Sequence, residues 1–248
     1  MLSDSGALDV YSRQIQLPEI GEAGQQKLSD SSVLVVGCGG LGAPVLSYLT
    51  AMGIGHLGLC DGDTVASSNL NRQFLYSRKD VGKLKTDVAK KHLAALNPDM
   101  RITTYDSFFD EELAERCIHE YNVIIDCVDN FKTRFIINDA CIKANKPLVH
   151  AGVGEYYGQL MTIDPGVGPC LRCLFPSGVA DKEDKTQQGI IGPIPGVLGA
   201  MQALEAAKLL LGMSVCNDGL VMYDGIKMST IKVVVKPLEN CICRKEVL

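Results

Sequence analysis

The sequence predicts an α/β fold: a mostly parallel sheet with helices on both faces, extended by antiparallel strands in the C-terminal half. Two observations predict it. Between residues 32 and 151 short apolar runs alternate with helix-length segments, the βαβα order that builds a parallel sheet. In the second half the last two strand-like runs are joined by Asp224-Gly225, a turn pair that closes antiparallel partners.

Each element can be read in order. Ser32–Val36 is apolar after its first serine, as a strand buried on both faces must be. A helix over Gly42–Met52 and a strand over His56–Cys60 follow, then a polar loop and a helix over Lys83–Leu96. Arg101–Tyr105, Val123–Cys127 and Pro147–Ala151 are strands, separated by helices over Glu111–Glu120 and Phe131–Asn145. Gln159–Ile163, Leu220–Tyr223 and Thr230–Val235 are the later strands. Ser177 to Gly192 is polar, charged and without periodicity, and reads as a mobile loop. Val197–Leu211 is a helix with Gly212 as its stop.

With 248 residues, 46% of them apolar, the chain can bury a large core as one domain or two tightly packed halves. Its formal net charge of −5, with no Lys/Arg block longer than Lys90-Lys91, lacks the basic footprint of nucleic-acid binding. The longest apolar region, near Val197–Met213, is interrupted by Glu205 and Lys208, and the N-terminus has an early acid and no apolar core. No membrane segment and a cytoplasmic location are therefore expected.

Of ten cysteines, Cys38, Cys60, Cys117, Cys127 and Cys141 lie singly in apolar runs and are expected in the core. Cys170-Leu-Arg-Cys173 and Cys241-Ile-Cys243 stand apart beside proline-marked turns. Four such cysteines in a cytosolic chain favour a metal over disulfides. A redox role for Cys170 and Cys173 is disfavoured, because redox pairs of this spacing open a helix and this one lies in a Pro/Gly-flanked turn.

Gly37, Gly39 and Gly42 satisfy G-x-G-x-x-G between a strand and a helix, so backbone N–H groups can meet a phosphate there. Asp61 ends the next strand, where an acid can bind ribose hydroxyls. Taken alone, these features fit a Rossmann-like NAD-dependent oxidoreductase, or glycines that merely let a helix and a strand pack. The charges downstream argue for another chemistry. Asp63, the run Ser67 to Gln73 containing Ser68, Asn69 and Arg72, then Lys85, and Asp129-Asn130 at a strand end supply cations and carboxylates together. Hydride transfer needs few of these, whereas transfer at the α-phosphate of ATP needs cations on the phosphate oxygens and a carboxylate for Mg²⁺. The plain alternative is that Arg72 and Lys85 are solvated surface charges and Asp129 caps the helix before Thr133 and Arg134. Among the histidines, only His150, at a strand end before Ala151-Gly152, is placed to face the crevice.

Six ordered motifs then carry a resemblance over nearly the whole chain. They are YSRQI at 11–15, GxGGLG at 37–42, the D-x-D-x-V-x-x-S-N-L-x-R-Q run from Asp61 to Gln73, Lys85, D-N-x-x-x-R from Asp129 to Arg134, and GVLGAMQALEAAKLL at 196–210. Together they resemble the MoeB/ThiF/HesA family of ubiquitin-activating-like adenylyltransferases. The resemblance implies that ATP and the C-terminal glycine carboxylate of a ubiquitin-like sulfur-carrier protein give an acyl-adenylate and pyrophosphate. It implies a single domain over 1–248, with a nucleotide-binding half at 1–152 and a carrier-binding half at 153–248 that includes a crossover loop at 177–192. It places ATP against Gly37, Gly39, Gly40, Gly42, Asp61, Asp63, Ser68, Asn69, Arg72, Gln73, Lys85, Asp129 and Asn130. Asp129 is then the Mg²⁺ ligand, and Arg13 reaches the partner subunit's ATP in a homodimer. Arg13, Arg72, Lys85 and Asp129 are the implied catalytic set. The attacking carboxylate is already ionised at neutral pH, so no general acid or base is demanded.

The chain departs from that family twice. Relatives commonly hold structural Zn²⁺ with two C-x-x-C pairs; Cys170 and Cys173 fit, but Cys241 and Cys243 are one residue short. Many relatives also carry a cysteine four residues before the motif that is here Gly189-Ile-Ile-Gly192-Pro193, where this chain has Lys185. A lysine cannot form an acyl disulfide or thioester. Adenylation without a covalent enzyme intermediate, with sulfur from a separate donor, is therefore expected. The altered cysteines also leave a non-catalytic nucleotide- or carrier-binding regulator as an alternative.

Overall fold

Apolar strands buried on both faces need helices above and below, and the computed structural model, which describes residues 10–175 and 189–244, has that arrangement. Strands β1 (Ser32–Val36), β2 (His56–Cys60), β3 (Arg101–Tyr105), β4 (Val123–Asp126) and β5 (Leu148–Gly154) are parallel. Strands β6 (Tyr157–Ile163), β7 (Gly219–Asp224) and β8 (Ser229–Val234) continue the same sheet antiparallel. The order among the described residues is β3-β2-β1-β4-β5-β6-β7-β8.

The helices are α1 (Ser12–Ile15), α2 (Gly21–Ser29), α3 (Gly42–Ala51), α4 (Lys85–Leu96), α5 (Glu111–Cys117), α6 (Phe131–Ala144), α7 (Leu171–Leu174) and α8 (Pro193–Leu211). Strand alternation divides the core in two. Val33 and Val35 face a cluster with Leu46 and Leu49 of α3, Leu93 of α4 and Leu198 and Ala206 of α8. Leu34 and Val36 face the opposite cluster, with Leu113 of α5 and Phe135, Ile137 and Cys141 of α6. The five cysteines expected in the core are buried there.

Helix α8 is long and apolar enough to cross a membrane by length and composition, yet half of it is buried in the fold. Its charges are paired rather than solvated. Glu205 accepts from Thr162 Oγ1 at 2.7 Å and from the Cys216 N–H at 2.9 Å, and it also pairs with Lys208.

The differences from expectation have local causes. Helix α8 begins at Pro193 rather than Val197, because Pro193 and Pro195 sit in the first turn, where no intrahelical N–H is required. Helix α4 begins at Lys85 rather than Lys83, because Leu84 is extended and bridges Thr64. Strands β5 and β6 run on into a hairpin whose turn residue Glu155 has φ +49°, a turn that carries no glycine at that position to signal it. Helices α1, α2 and α7 were not expected. In α2 the buried residues are only Gly24, Gln25 and Leu28, too few for a clear apolar period. Cys170 is the N-cap of the four-residue α7, which contains Cys173, so this pair does open a short helix rather than lie in a turn; what sets it apart from a redox pair is the gathering of Cys241 and Cys243 around it.

Candidate active site

The chain leaves β1 toward β2 and β3 on one side and returns to β4 and β5 on the other, so the strand order reverses between β1 and β4. Crevices at such reversals are where open α/β sheets bind ligands. The expected residues follow the C-terminal ends of these strands: the glycine loop after β1, Asp61 after β2, and Asp129 after β4.

The glycines of the loop divide by purpose. Gly37 has φ +99°, and a Cβ there would approach the Cys127 carbonyl oxygen to 2.6 Å. A Cβ on Gly42 would run into the Gly37 carbonyl. Both are demanded by the protein's own packing. A Cβ on Gly39 would meet only Gln73 Nε2, at 3.5 Å, and one on Gly40 would lie 3.3 Å from Pro195 and 3.6 Å from Arg72 Cδ. The backbone at Gly39 is thus bare toward the crevice. Helix α3 opens just beyond it without a side-chain cap, leaving backbone donors and the positive end of the helix for an anion. Tyr76, which sequence reasoning missed, fixes the loop by donating to the Cys38 carbonyl at 2.7 Å.

Asp61 is held by the same loop. Its Oδ2 accepts from the Cys38 N–H and its Oδ1 from the Asp63 N–H, both at 2.8 Å. Burial pushes its carboxyl up, against the opposing pull of Lys85 and the two N–H bonds. Lys85 is buried, with Nζ 2.8 Å from Asp63 and 3.7 Å from Asp61, so it is not a solvated surface charge. The backbone aims it: the Lys85 N–H donates to the Asp63 carbonyl at 3.0 Å.

The polar run forms a short turn at Ser67–Asn69. Asn69 Oδ1 accepts from the Ala66 N–H at 3.0 Å, and Arg72 Nη1 donates to the Ser68 carbonyl and to Asn71 Oδ1, both at 2.9 Å. Gln73 is buried, and its Oε1 lacks a partner among the described residues. The far wall is residues 189–192: the Ile191 N–H donates to the Glu155 carbonyl at 3.2 Å, and the Glu155 N–H donates to the Gly189 carbonyl at 2.7 Å. A Cβ on Gly192 would stand 2.5 Å from the Asn71 carbonyl. Lys185 and loop residues 177–188 lie outside the described residues.

Asp129 does not cap α6. Asn130 does, its Oδ1 accepting from the Thr133 N–H at 2.9 Å. The Asp129 carboxylate is exposed and has no hydrogen-bond or ion-pair partner among the described residues. A single open carboxylate following the strand next to the glycine loop is a donor that would suit Mg²⁺, which takes few protein ligands and completes its shell with phosphate and water.

His150 does not face the crevice. It is fully buried on β5, with Nδ1 2.6 Å from Asp126 Oδ2, and burial lowers its pKa against the pull of Asp126. Sequence reasoning also missed Gln202 of α8, which donates to the Asp126 carbonyl at 2.7 Å and the Val149 carbonyl at 3.1 Å. The signals were there: an acid ending the apolar run of β4, and an amide inside an apolar helix.

Arg13 is not brought to this crevice. Its neighbours attach to the opposite end of α3: a Cβ on Gly53 would approach the Tyr11 ring to 2.6 Å, and Gln14 Nε2 donates to Gln25 Oε1 at 2.8 Å and the Met52 carbonyl at 3.2 Å. Arg13 itself is exposed.

On the other face of the sheet, Cys170, Cys173, Cys241 and Cys243 are all buried, with their sulfurs within 4.8 Å of one another. The short last pair still reaches, because residues Ile242–Arg244 curl into a 3₁₀ turn. Cys170 is pushed up to about 12, chiefly by burial. Cys173 is lowered: burial raises it, but N–H bonds and the neighbouring thiols outweigh that. The four thiols fit one tetrahedral ion, whose sulfur–sulfur edges are about 3.8 Å for bonds of ~2.3 Å.

A model of the ThiF family matches residues 11–245. The chain belongs to the ThiF family. Among relatives of this ThiF-family chain, the sulfur carrier protein adenylyltransferase of Thermus thermophilus is 41% identical, covering 96% of this chain and 92% of that protein. The SAMP-activating enzyme E1 of Haloferax volcanii is 39% identical, covering 96% and 89%. The adenylyltransferase and sulfurtransferase MOCS3 of Xenopus laevis is 44% identical over 88% of the chain, which spans about half of it, 49%. Among solved structures, Escherichia coli MccB with MccA-N7isoASN superposes with a TM-score of 0.85 at 23% identity, over 98% of this chain and 76% of that one, and so shares the fold. This ThiF-family chain is an adenylyltransferase.

Proposed function

We propose that this adenylyltransferase activates the C-terminal glycine carboxylate of a ubiquitin-like sulfur-carrier protein of the ThiS/MoaD type. A carboxylate oxygen attacks the α-phosphorus of ATP, the bond to the β-phosphate oxygen breaks, and acyl-adenylate and pyrophosphate result. The observation that carries this reading is the meeting of a bare glycine loop, Arg72, Lys85, Asp61 and Asp129 at one strand-order reversal. The relatives named for activating sulfur carriers and SAMP, aligned over about nine-tenths of their length, support the substrate class.

In this reading Gly37, Gly39, Gly40 and Gly42 form the triphosphate cradle and Asp61 binds the ribose. Asn69, Arg72 and Lys85 contact the phosphates, with Asp63, Ser68, Gln73 and Asn130 lining the same site. Asp129 holds Mg²⁺, which supplies charge neutralisation to the leaving pyrophosphate. A carbon-bound carboxylate is ionised well below neutral pH, so the chain's task is positioning and electrostatic stabilisation.

The enzyme works as a homodimer in which Arg13 reaches the partner's ATP, and it is cytoplasmic. One domain spans 1–248, with nucleotide on residues 1–152 and carrier on 153–248, where the segment 177–192 crosses over the carrier tail. Cys170, Cys173, Cys241 and Cys243 hold structural Zn²⁺, tying the C-terminal turn to α7. Because Lys185 stands where relatives carry a thiol, no covalent carrier–enzyme intermediate forms and a separate donor brings the sulfur.

The test is ATP–pyrophosphate exchange with carriers ending in Gly-Gly beside carriers lacking the last glycine. Exchange that requires the intact tail is expected. ATP binding without exchange, whatever the carrier, would replace this reading with that of a nucleotide-binding regulator.

A further inference from the structure

Asp126 closes β4 after three apolar residues and is fully buried. A carboxylate in such a place must be matched by donors. Its Oδ2 lies 2.6 Å from His150 Nδ1 and 3.8 Å from Arg134 Nε, and its Oδ1 accepts from the Val128 N–H at 3.0 Å. Register sets the first contact, since Asp126 and His150 are paired residues of β4 and β5. The carboxylate accepts, so the proton in that contact sits on Nδ1.

Arg134, one turn into α6, donates from Nη2 to the Val128 carbonyl at 2.9 Å. Both backbone groups of Val128 are therefore bound to buried charged side chains. The next residue but one, Asn130, is locked as the cap of α6. Asp129 stands between these two fixed points, its own side chain making no contact among the described residues.

Stability does not account for the cluster. Arg134 Nε and His150 Nε2 are buried without a hydrogen bond among the described residues, an arrangement that an apolar trio of similar size would avoid. What the three residues do is fix one peptide unit next to an open carboxylate.

We propose that Asp126, His150 and Arg134 are positioning residues that hold the Asp129 carboxylate for the divalent cation, with the His150-to-Asp126 hydrogen bond setting the geometry. This rests on the reading of Asp129 as the cation ligand. Removing a group that orients a metal ligand typically costs 10- to 100-fold in metal affinity.

The experiment is Mn²⁺ binding to the full-length protein saturated with a non-hydrolysable ATP analogue, followed by electron paramagnetic resonance, with affinity for the analogue alone measured by calorimetry. Asp129→Asn tests the underlying reading: it abolishes the high-affinity Mn²⁺ site, and an unchanged site would sink that reading. Given that loss, His150→Leu and Arg134→Lys are expected to weaken Mn²⁺ by about 10-fold or more while metal-free analogue affinity changes less than about 3-fold. His150→Asn keeps a donor near the Nδ1 position and is expected to restore Mn²⁺ affinity. Unchanged Mn²⁺ affinity in both His150→Leu and Arg134→Lys overturns the proposal, as does equal loss in His150→Asn and His150→Leu. If His150→Leu does not fold, Arg134→Lys and His150→Asn decide it.

Discussion

Lys85 Nζ stands 2.8 Å from Asp63 and 3.7 Å from Asp61, with only 7% of its side chain exposed. Two carboxylates hold the lysine in place at the crevice. Lys85→Met is expected to lower ATP–pyrophosphate exchange by about 10²- to 10³-fold, the usual cost of removing one pre-aimed donor from developing charge. Lys85→Arg is expected to restore little of it, because a longer, planar guanidinium spreads its charge and cannot put it where the compact ammonium stands. Steady-state exchange on the two variants is the check.

The glycine loop gives a paired contrast. Gly37→Ala adds a Cβ at φ +99° against the Cys127 carbonyl and is expected to cost about 1–3 kcal/mol of stability. In a chain of this size that lowers Tm by roughly 2–4 °C per kcal/mol. Gly39→Ala meets only the end of Gln73, so its Tm should stay near wild type while ATP affinity falls. Differential scanning calorimetry and ATP titration separate the two; a Gly39→Ala protein that binds ATP normally would place the phosphates elsewhere.

Arg13 gives a test by mixing. On the proposed homodimer, the Arg13→Ala and Lys85→Met proteins should each be inactive, yet in an equal mixture of exchanged subunits half of the dimers would be mixed and each would have one complete site. Activity near a quarter of wild type is then expected. No recovery would mean that Arg13 serves its own chain's ATP or none.

Glu205 predicts an acid limb of stability. Burial raises its carboxyl, but Lys208, Thr162 and the Cys216 N–H together bring it below the ordinary value of 4.5. A depressed folded pKa means that the stabilisation is complete above 4.5 and is lost as pH falls through the folded value. Denaturant titrations between pH 6 and about pH 3 should show a smaller slope for Glu205→Gln than for wild type. Equal slopes would assign the acid sensitivity to other groups.

Much of this was legible in the sequence, for reasons the particular residues make plain. Val33 to Val36 are apolar without alternation because both faces of β1 are covered, and that pattern is visible without knowing the partners. The glycine loop, Asp61 and Lys85 were legible because strand ends and spacing put them together. The Asp126–His150 contact was not, since it depends on which strands are neighbours and in what register, 24 residues apart. Lys85 could be found as a cation, but its burial could not, because the Thr64–Leu84 bridge that encloses it is non-local. The Tyr11 anchor needed the empty face of Gly53, which a sequence shows only as one more glycine.

Helix α3 carries the glycine loop at one end and receives Tyr11 and Gln14 at the other, ten residues away. A helix turns by about 100° per residue, so these two attachments stand at a fixed angle about the axis as well as a separation of about 15 Å. A single inserted residue would swing one attachment a quarter-turn around the axis from the other, whatever its side chain. Lengths of this helix that keep both ends aligned therefore come only in steps of nearly whole turns, with each added turn moving the anchor some 5 Å farther from the loop.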